Sequence, residues 1–282
     1  MSKSRFDLWF DYDKELTKSE SKLTREIYNF YKKENDKCFR DLQRGSFKAG
    51  LYFSQFRIQQ LYIKIYKLVG LQFANWWVDS FAPYVRKNVN TQPFQNQWEQ
   101  VFTIYAREVS ELFGNEISNT ATINAQKVFV GLMQDPEFAS LGNEQQARIL
   151  LQKSKSQSMI YAKRLAKTEA TRISNLAIQQ SALTFYNKND MNKVWISARD
   201  GRERDSHMEA GTNPIFGANS KGISMEKDFM VGGMAMSRAG DPRGGAKETV
   251  NCRCVTMPIP NPDAQTIADV EGLGFGTGFG QY

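Results

Sequence analysis

The sequence predicts an α+β fold: a mainly helical N-terminal region, then a small strand-and-loop C-terminal module, then a flexible Gly-rich tail. Three observations lead there. Apolar residues recur at spacings of three and four from Ser19 to about Asn187, the period of helices packed on one face. Lys193 to Ala198 (KVWISA) switches to alternation, Val194 and Ile196 opposing Trp195 and Ser197, the pattern of a half-buried strand. After Pro260 the chain reads NPDAQTIADVEGLGFGTGFGQY, too glycine-rich and too poor in apolar runs to fold by itself. The divisions expected are residues 1–143 for the helical region, 144–260 for the module with its leading helix, and 261–282 for a C-terminal arm suited to inserting phenylalanine into a partner, or an ordinary frayed terminus.

In chain order, Leu23, Ile27, Phe30, Tyr31, Glu34, Cys38 and Leu42 place a helix over Ser19–Arg44, with Gly45 as its stop. Cys38 lies on the apolar stripe, so packing is its role. Ala49–Phe81 is apolar nearly all round and should be central in a bundle or pressed on a partner, with Pro83 ending it. Its aromatic residues could instead stack on bases, but Arg57, Lys64 and Lys67 are sparse company for that. A third helix is expected over Pro93–Phe113 and, after Gly114, a fourth over Glu116–Met133. Asn143 caps a segment from Glu144 to Lys153, and a longer helix spans Ser154–Asn187. On that last helix Met159, Ala162, Leu165, Ala166, Ile173, Leu176 and Ala177 share a side, with Glu169 inside the stripe and Arg172 three residues on, so that the two can pair. Lys153, Lys163, Arg164 and Lys167 share the opposite side. Such a face could follow the phosphates of double-stranded DNA, or could simply be solvated, and Ile160 and Ile178 interrupt it.

The module is read as a strand, a turn at Asp200-Gly201, and a short charged helix that carries Ser206 and His207 and ends by Gly211 and Pro214. A second apolar piece, Asp228–Met236, is broken by Gly232-Gly233, and Gly240-Asp-Pro-Arg-Gly-Gly is expected as an open loop. The chain returns through Asn251-Cys252-Arg253-Cys254 into a strand over Val255–Ile259.

With 282 residues, 41% hydrophobic and 24% charged, the chain is long enough for one large or two ordinary domains. A net charge of +7 and a pI near 9.2 suit an anionic neighbour such as DNA, or an ordinary basic surface. Met1–Lys22 lacks the apolar run of a signal peptide, and no stretch is long and apolar enough for a membrane span, so a protein made in the cytoplasm and without a membrane partner is expected. Three cysteines, with Cys38 far from the other two, argue against a disulfide framework.

Asp200, the sole histidine His207, Cys252 and Cys254 supply the donor types that tetrahedral zinc prefers, so a structural zinc is one reading. A C-x-C pair reaches one metal only with a bend, however, and a packed polar cluster without metal is the other. Thiol chemistry by Cys252 or Cys254 with His207 as base is a third. No nucleophile elbow, phosphate loop or His-Glu-x-x-His helix accompanies them, which argues against an enzyme.

The pieces Thr168-Glu169-Ala170-x-Arg172-x-x-Asn175-x-Ala177, Trp195-Ile196-Ser197-Ala198-x-Asp200-Gly201-Arg202-x-Arg204-x-Ser206-His207, Gly240-Asp241-Pro242-Arg243-Gly244-Gly245 and Asn251-Cys252-Arg253-Cys254, in that order, resemble the phage Mu F-like minor head protein (phage head morphogenesis) family over roughly Lys155–Pro258. The resemblance implies a low-copy, non-enzymatic component of a tailed bacteriophage virion, assembled in the host cytoplasm with portal, scaffold or major capsid protein. It also implies a part in head assembly and in DNA packaging or ejection. On this view Asp200, Arg202, Arg204, His207, Asp241, Asn251 and Cys252 hold the irregular loops together. Glu169 and Arg172 staple the leading helix to the module, with Arg202 or Arg204 as further partners. The enzyme alternative is a zinc-dependent hydrolase or an ADP-ribosyltransferase-type effector delivered with the virion, although the chain leaves no room for an effector domain after Pro260.

Overall fold

A computed structural model describes residues 5–48, 50–81, 91–198, 200–261 and 264. Helices α1 (Arg5–Gln43), α2 (Gln55–Phe81), α3 (Gln92–Met133), α4 (Pro136–Ser140) and α5 (Asn143–Phe185) come first. The module follows as β1 (Met191–Ile196), α6 (Asp205–Thr212), β2 (Ile223–Ser224), β3 (Phe229–Val231), β4 (Met234–Met236), α7 (Gly245–Thr249) and β5 (Val255–Pro260). The α+β reading therefore holds: long helices precede a small sheet module. Pro83 and, apart from Asn261 and Ala264, the glycine-rich arm lie outside the described residues. Among the described residues no helix is long and apolar enough to cross a membrane.

Two helix breaks expected from sequence are absent. Gly114 sits inside α3, where a Cβ would lie 2.2 Å from Gln55 Oε1, and the Gln55 amide donates to Ser110 O at 2.8 Å. The glycine there admits a neighbour, at a helix cost of about 1 kcal/mol. Likewise α5 is one helix from Asn143 onward. Ser154, taken as a fresh start, is buried in mid-helix and donates to Asp36 Oδ1 at 2.6 Å.

The described residues form two compact units, and the division is not the linear one at residue 143. One unit takes its residues from segments 18–67 and 101–167, the other from 1–17, 68–100 and 168–282, so α1, α2, α3 and α5 each contribute to both. In the first unit Leu23, Ile27, Tyr31, Cys38 and Phe39 of α1, Ile58, Ile65 and Tyr66 of α2, and Phe102 and Ala106 of α3 are buried, as their helical spacing requires. Glu34 is buried on the same stripe of α1. Its carboxylate pairs with Arg57 at 2.8 Å and accepts the Phe53 amide at 2.9 Å, the latter from a residue in left-handed conformation (φ 51°).

The second unit contains the module. Its main sheet has the order β2-β1-β5, all antiparallel, with Trp195 opposite Thr256 and Ile196 opposite Val255. Strand β1 is buried on both faces, Lys193 included, rather than half-buried. Strands β3 and β4 form a separate hairpin closing Val231 against Met234, and Gly232 and Gly233 both take the positive φ (57° and 81°) that a two-residue hairpin turn requires. The Gly240–Gly245 stretch is not wholly open. A 3-10 turn over Pro242–Gly244, capped by the Asp241 carboxylate through the Arg243 amide, leads directly into α7.

Candidate metal centre

From Thr168 to Ile178 every residue of α5 is buried, polar ones included. A helix immersed on all sides must find partners for its polar side chains, and most of them are backbone groups of the module. Thr168 Oγ1 accepts the Asn251 amide at 3.3 Å, Thr171 donates to Cys252 O, and Arg172 Nε donates to Gly240 O at 3.3 Å. Asn175 donates to Cys254 O at 3.2 Å and accepts the Thr256 amide at 2.6 Å. Gly240 is at φ 76°, and a Cβ there would stand 2.9 Å from Arg172 Cα. Glu169 pairs with Arg172 as an i, i+3 ion pair, both buried. Arg202 and Arg204, named as further partners of that pair, are engaged elsewhere. Arg204 donates to Val250 O at 2.6 Å and Arg202 binds Asp200.

The bend that a C-x-C segment needs comes from Asn251, a non-glycine residue at φ 56°, a conformation asparagine tolerates. Beyond it Cys252 and Cys254 turn inward. Arg253 reaches Asp13 of α1 at 2.5 Å instead, and Trp9 Nε1 donates to Arg253 O at 3.3 Å. Helix α6 delivers His207 to the two thiols. Its Nδ1 stands 3.5 Å from Cys252 Sγ and 3.3 Å from Cys254 Sγ, and the three donor atoms lie within 4.8 Å of one another, a group that could hold a metal ion. All three residues are buried, in a core with Trp195, Phe216, Phe229, Val231 and Met236, and the Trp195 ring meets the imidazole edge-on at 5.5 Å.

On the far side of the imidazole, Nε2 is 3.1 Å from Glu248 Oε2, at an angle too oblique for a full hydrogen bond. Glu248 is fully buried on α7. Ser206 Oγ bonds its Oε2 at 2.8 Å, and a Cβ on Gly232 would stand 2.4 Å from its Oε1, so only glycine leaves room for the carboxylate. Sequence reading missed Glu248 because it lies between the expected Gly240–Gly245 loop and the Asn251–Cys254 return, in residues to which no element is assigned. The one available signal was an acidic residue four positions before Cys252.

The electrostatics separate the thiols. Cys252 is drawn well below the ordinary thiol range by the Cys254 side chain, against burial and with help from His207. Cys254 is driven well above that range by its neighbour and by burial. For His207 burial favours the neutral ring, but Cys252 and Glu248 outweigh it and raise the value.

The remaining candidates fall into place around this centre. Asp200, considered as a fourth ligand, is not in the group. Its carboxylate is used locally, accepting the Arg202 amide at 3.0 Å and the guanidinium at 2.8 Å in a turn where Arg202 is exposed. Asp241 binds Ser237 through both amide and hydroxyl at 2.7 Å and Arg243 at 2.8 Å, while Arg243 also reaches Asp228 at 2.7 Å. Lys153, Lys163, Arg164 and Lys167 are exposed on α5, with the exposed Ile160 among them. Compared with family models, with curated proteins and with solved structures, the chain matches none.

Proposed function

We propose that this chain is a minor head protein of a tailed bacteriophage, a non-enzymatic component of the virion that associates with portal, scaffold or major capsid protein as the head assembles in the host cytoplasm. One observation carries the reading. Three of the four separated sequence pieces that resemble the head-morphogenesis family meet in one buried knot, where Thr168, Thr171, Arg172 and Asn175 of α5 bind the backbone of residues 240 and 251–256. Their chemistry is spent on internal bonds, which is what a rigid assembly element needs. Against thiol catalysis, and against substrate access to a zinc held there, stands the burial of His207, Cys252 and Cys254, at 1%, 2% and 1% exposed. A buried zinc at His207, Cys252 and Cys254 would tie α6 to the Cys252–Cys254 turn and add to this rigidity. The basic face of α5 supplies a surface for packaged DNA.

The test is co-expression with the portal, scaffold and major capsid proteins encoded alongside it, followed by mass spectrometry of purified procapsids. The chain is expected in the particles as a low-copy component. Normal particles that exclude it, made while it accumulates free and folded, would sink the reading.

A further inference from the structure

We infer that His207 Nδ1 and the thiolates of Cys252 and Cys254 bind one zinc ion, and that Glu248 is the outer residue that orients the imidazole for it. The inference stands on these side chains alone and is independent of the head-protein reading.

Zinc–nitrogen and zinc–sulfur bonds of about 2.0 and 2.3 Å at a tetrahedral angle place nitrogen and sulfur about 3.5 Å apart. The two separations here, 3.5 and 3.3 Å, match that spacing. Hydrogen bonds from nitrogen to sulfur have similar lengths, so distance alone does not decide. Directionality does. A neutral imidazole nitrogen has either one hydrogen or one lone pair, and neither can point at two sulfurs, whereas a single cation satisfies all three donors at once.

The opposite ring nitrogen supplies the second, independent observation. A metal-bound histidine commonly has a carboxylate behind its other nitrogen, which fixes the tautomer and raises the basicity of the ligating atom. Glu248 Oε2 stands there, 3.1 Å from Nε2 though obliquely, so a small rotation of the ring completes the bond, and the carboxylate is buried with Ser206 on one oxygen and the Cβ-free Gly232 against the other. A buried carboxylate there is costly unless it is paired or hydrogen-bonded, as the imidazole Nε2–H and Ser206 would provide. With the proton on Nε2, the Nδ1 lone pair faces the sulfurs.

Two thiolates and a neutral imidazole cancel the charge of a divalent ion, so the loaded cluster fits the apolar surroundings of Trp195 and Phe229. Thiolate and imidazole together favour zinc over the hard cations. Three side chains fill three of four tetrahedral positions, and a water or another small oxygen donor takes the fourth. The Cys254 amide donates to Cys252 Sγ at 3.4 Å, a bond that favours a thiolate there.

The experiment uses the full chain, purified under reducing conditions with zinc in the medium and checked for folding by circular dichroism. Elemental analysis is expected to give about one zinc per chain. After chelation, titration with cobalt(II) should produce thiolate-to-cobalt charge-transfer absorption that zinc abolishes, weakened in Cys252→Ser and Cys254→Ser. A folded wild-type chain with no stoichiometric zinc and no thiolate-to-cobalt band overturns the site, and this needs no variant to fold. Glu248→Gln should keep the band but bind zinc about 10–100-fold more weakly. Unchanged affinity would overturn the role given to Glu248.

Discussion

Asn175 stands against Thr256 as a neighbouring strand would: its Oδ1 accepts the Thr256 amide at 2.6 Å while its Nδ2 donates to Cys254 O at 3.2 Å. Those two backbone groups point the same way from β5, which is the edge of the sheet, so one helical side chain closes an otherwise open edge at that point. Replacing Asn175 with Leu leaves both groups buried without partners. Each such group costs about 1–3 kcal/mol. Chemical denaturation should show a lower midpoint with an unchanged denaturant slope. A midpoint within error of wild type would mean that the edge is held by other contacts.

That helix also shows what the sequence made legible. The polar positions 168, 172 and 175 are three or four residues apart, so one helical face carrying them could be read directly, as could the pairing of Glu169 with Arg172. The alternation at Lys193–Ala198 located β1, and the glycine pair at 232 and 233 marked a break in the apolar piece Asp228–Met236, which the structure turns into a hairpin. Periodicity gave no warning that α5 would become buried on every side or that both faces of β1 would be covered, because burial of a second face depends on elements distant in the chain. Gly114 misled for a related reason. A glycine that ends a helix and one that admits a neighbouring side chain look alike until Gln55 is placed beside it. His207 and the cysteines could be grouped by chemistry, whereas Glu248 could not, since its partner is another element and α7 is only five residues long.

The buried pair Glu169–Arg172 tests whether the staple is electrostatic or merely steric. Removing one partner of a buried ion pair costs about 3–5 kcal/mol, because the other charge is left in a poorly solvating place. Glu169→Gln should therefore be markedly destabilising, and Arg172→Met similarly so. The double variant should recover part of the loss, giving a coupling energy of about 1 kcal/mol or more in a double-mutant cycle. Simple additivity would show that the two side chains act independently.

Lys193 makes stability depend on pH in an unusual direction. Burial pushes its ammonium down to about 8, Asp228 and Asp241 working against the shift and Arg238 and Arg243 with it. Its Nζ donates to Ser237 O at 2.8 Å and stands 5.0 Å from the Phe229 ring centre. In the unfolded chain a lysine holds its proton to about 10.4. Between those values the unfolded state binds more protons, so this residue makes the fold more stable as pH rises from about 8, by about 1.4 kcal/mol per pH unit. Below that window its contribution is flat. Other groups titrate there too, so the measurement is the stability difference between wild type and Lys193→Met. It should shift in favour of wild type from about pH 8 to 10, and a pH-independent difference would contradict the shift.

Asp241 has the same sign of pH dependence at the acid end. Burial alone would raise its value, but hydrogen bonds from Arg243 and Ser237 outweigh that and hold the carboxyl well below the usual range. The stability it contributes is complete above the unfolded value near 3.9 and is lost as pH falls below it. Asp241→Asn should therefore destabilise the fold at neutral pH and flatten its acid unfolding below about pH 4. Equal acid sensitivity in the two proteins would place the acid-labile group elsewhere.

The basic face of α5 can be separated from ordinary solvated charge by its response to salt. Lys153 and Lys167 are fourteen residues apart, about 21 Å along a helix at 1.5 Å per residue, with Lys163 and Arg164 between them. If the face follows duplex phosphates, binding to random-sequence DNA should weaken steeply with salt, the logarithmic slope reporting about 0.9 counterions per phosphate contacted. Lys163→Gln with Lys167→Gln should then lower that slope by about two without changing thermal stability, because both side chains are exposed. Ile160 lies inside the same arc and is 66% exposed, so a duplex laid along this face covers an apolar residue as well. A double variant that binds DNA with the wild-type slope would assign the excess positive charge to solvent and leave the face with no part in holding DNA.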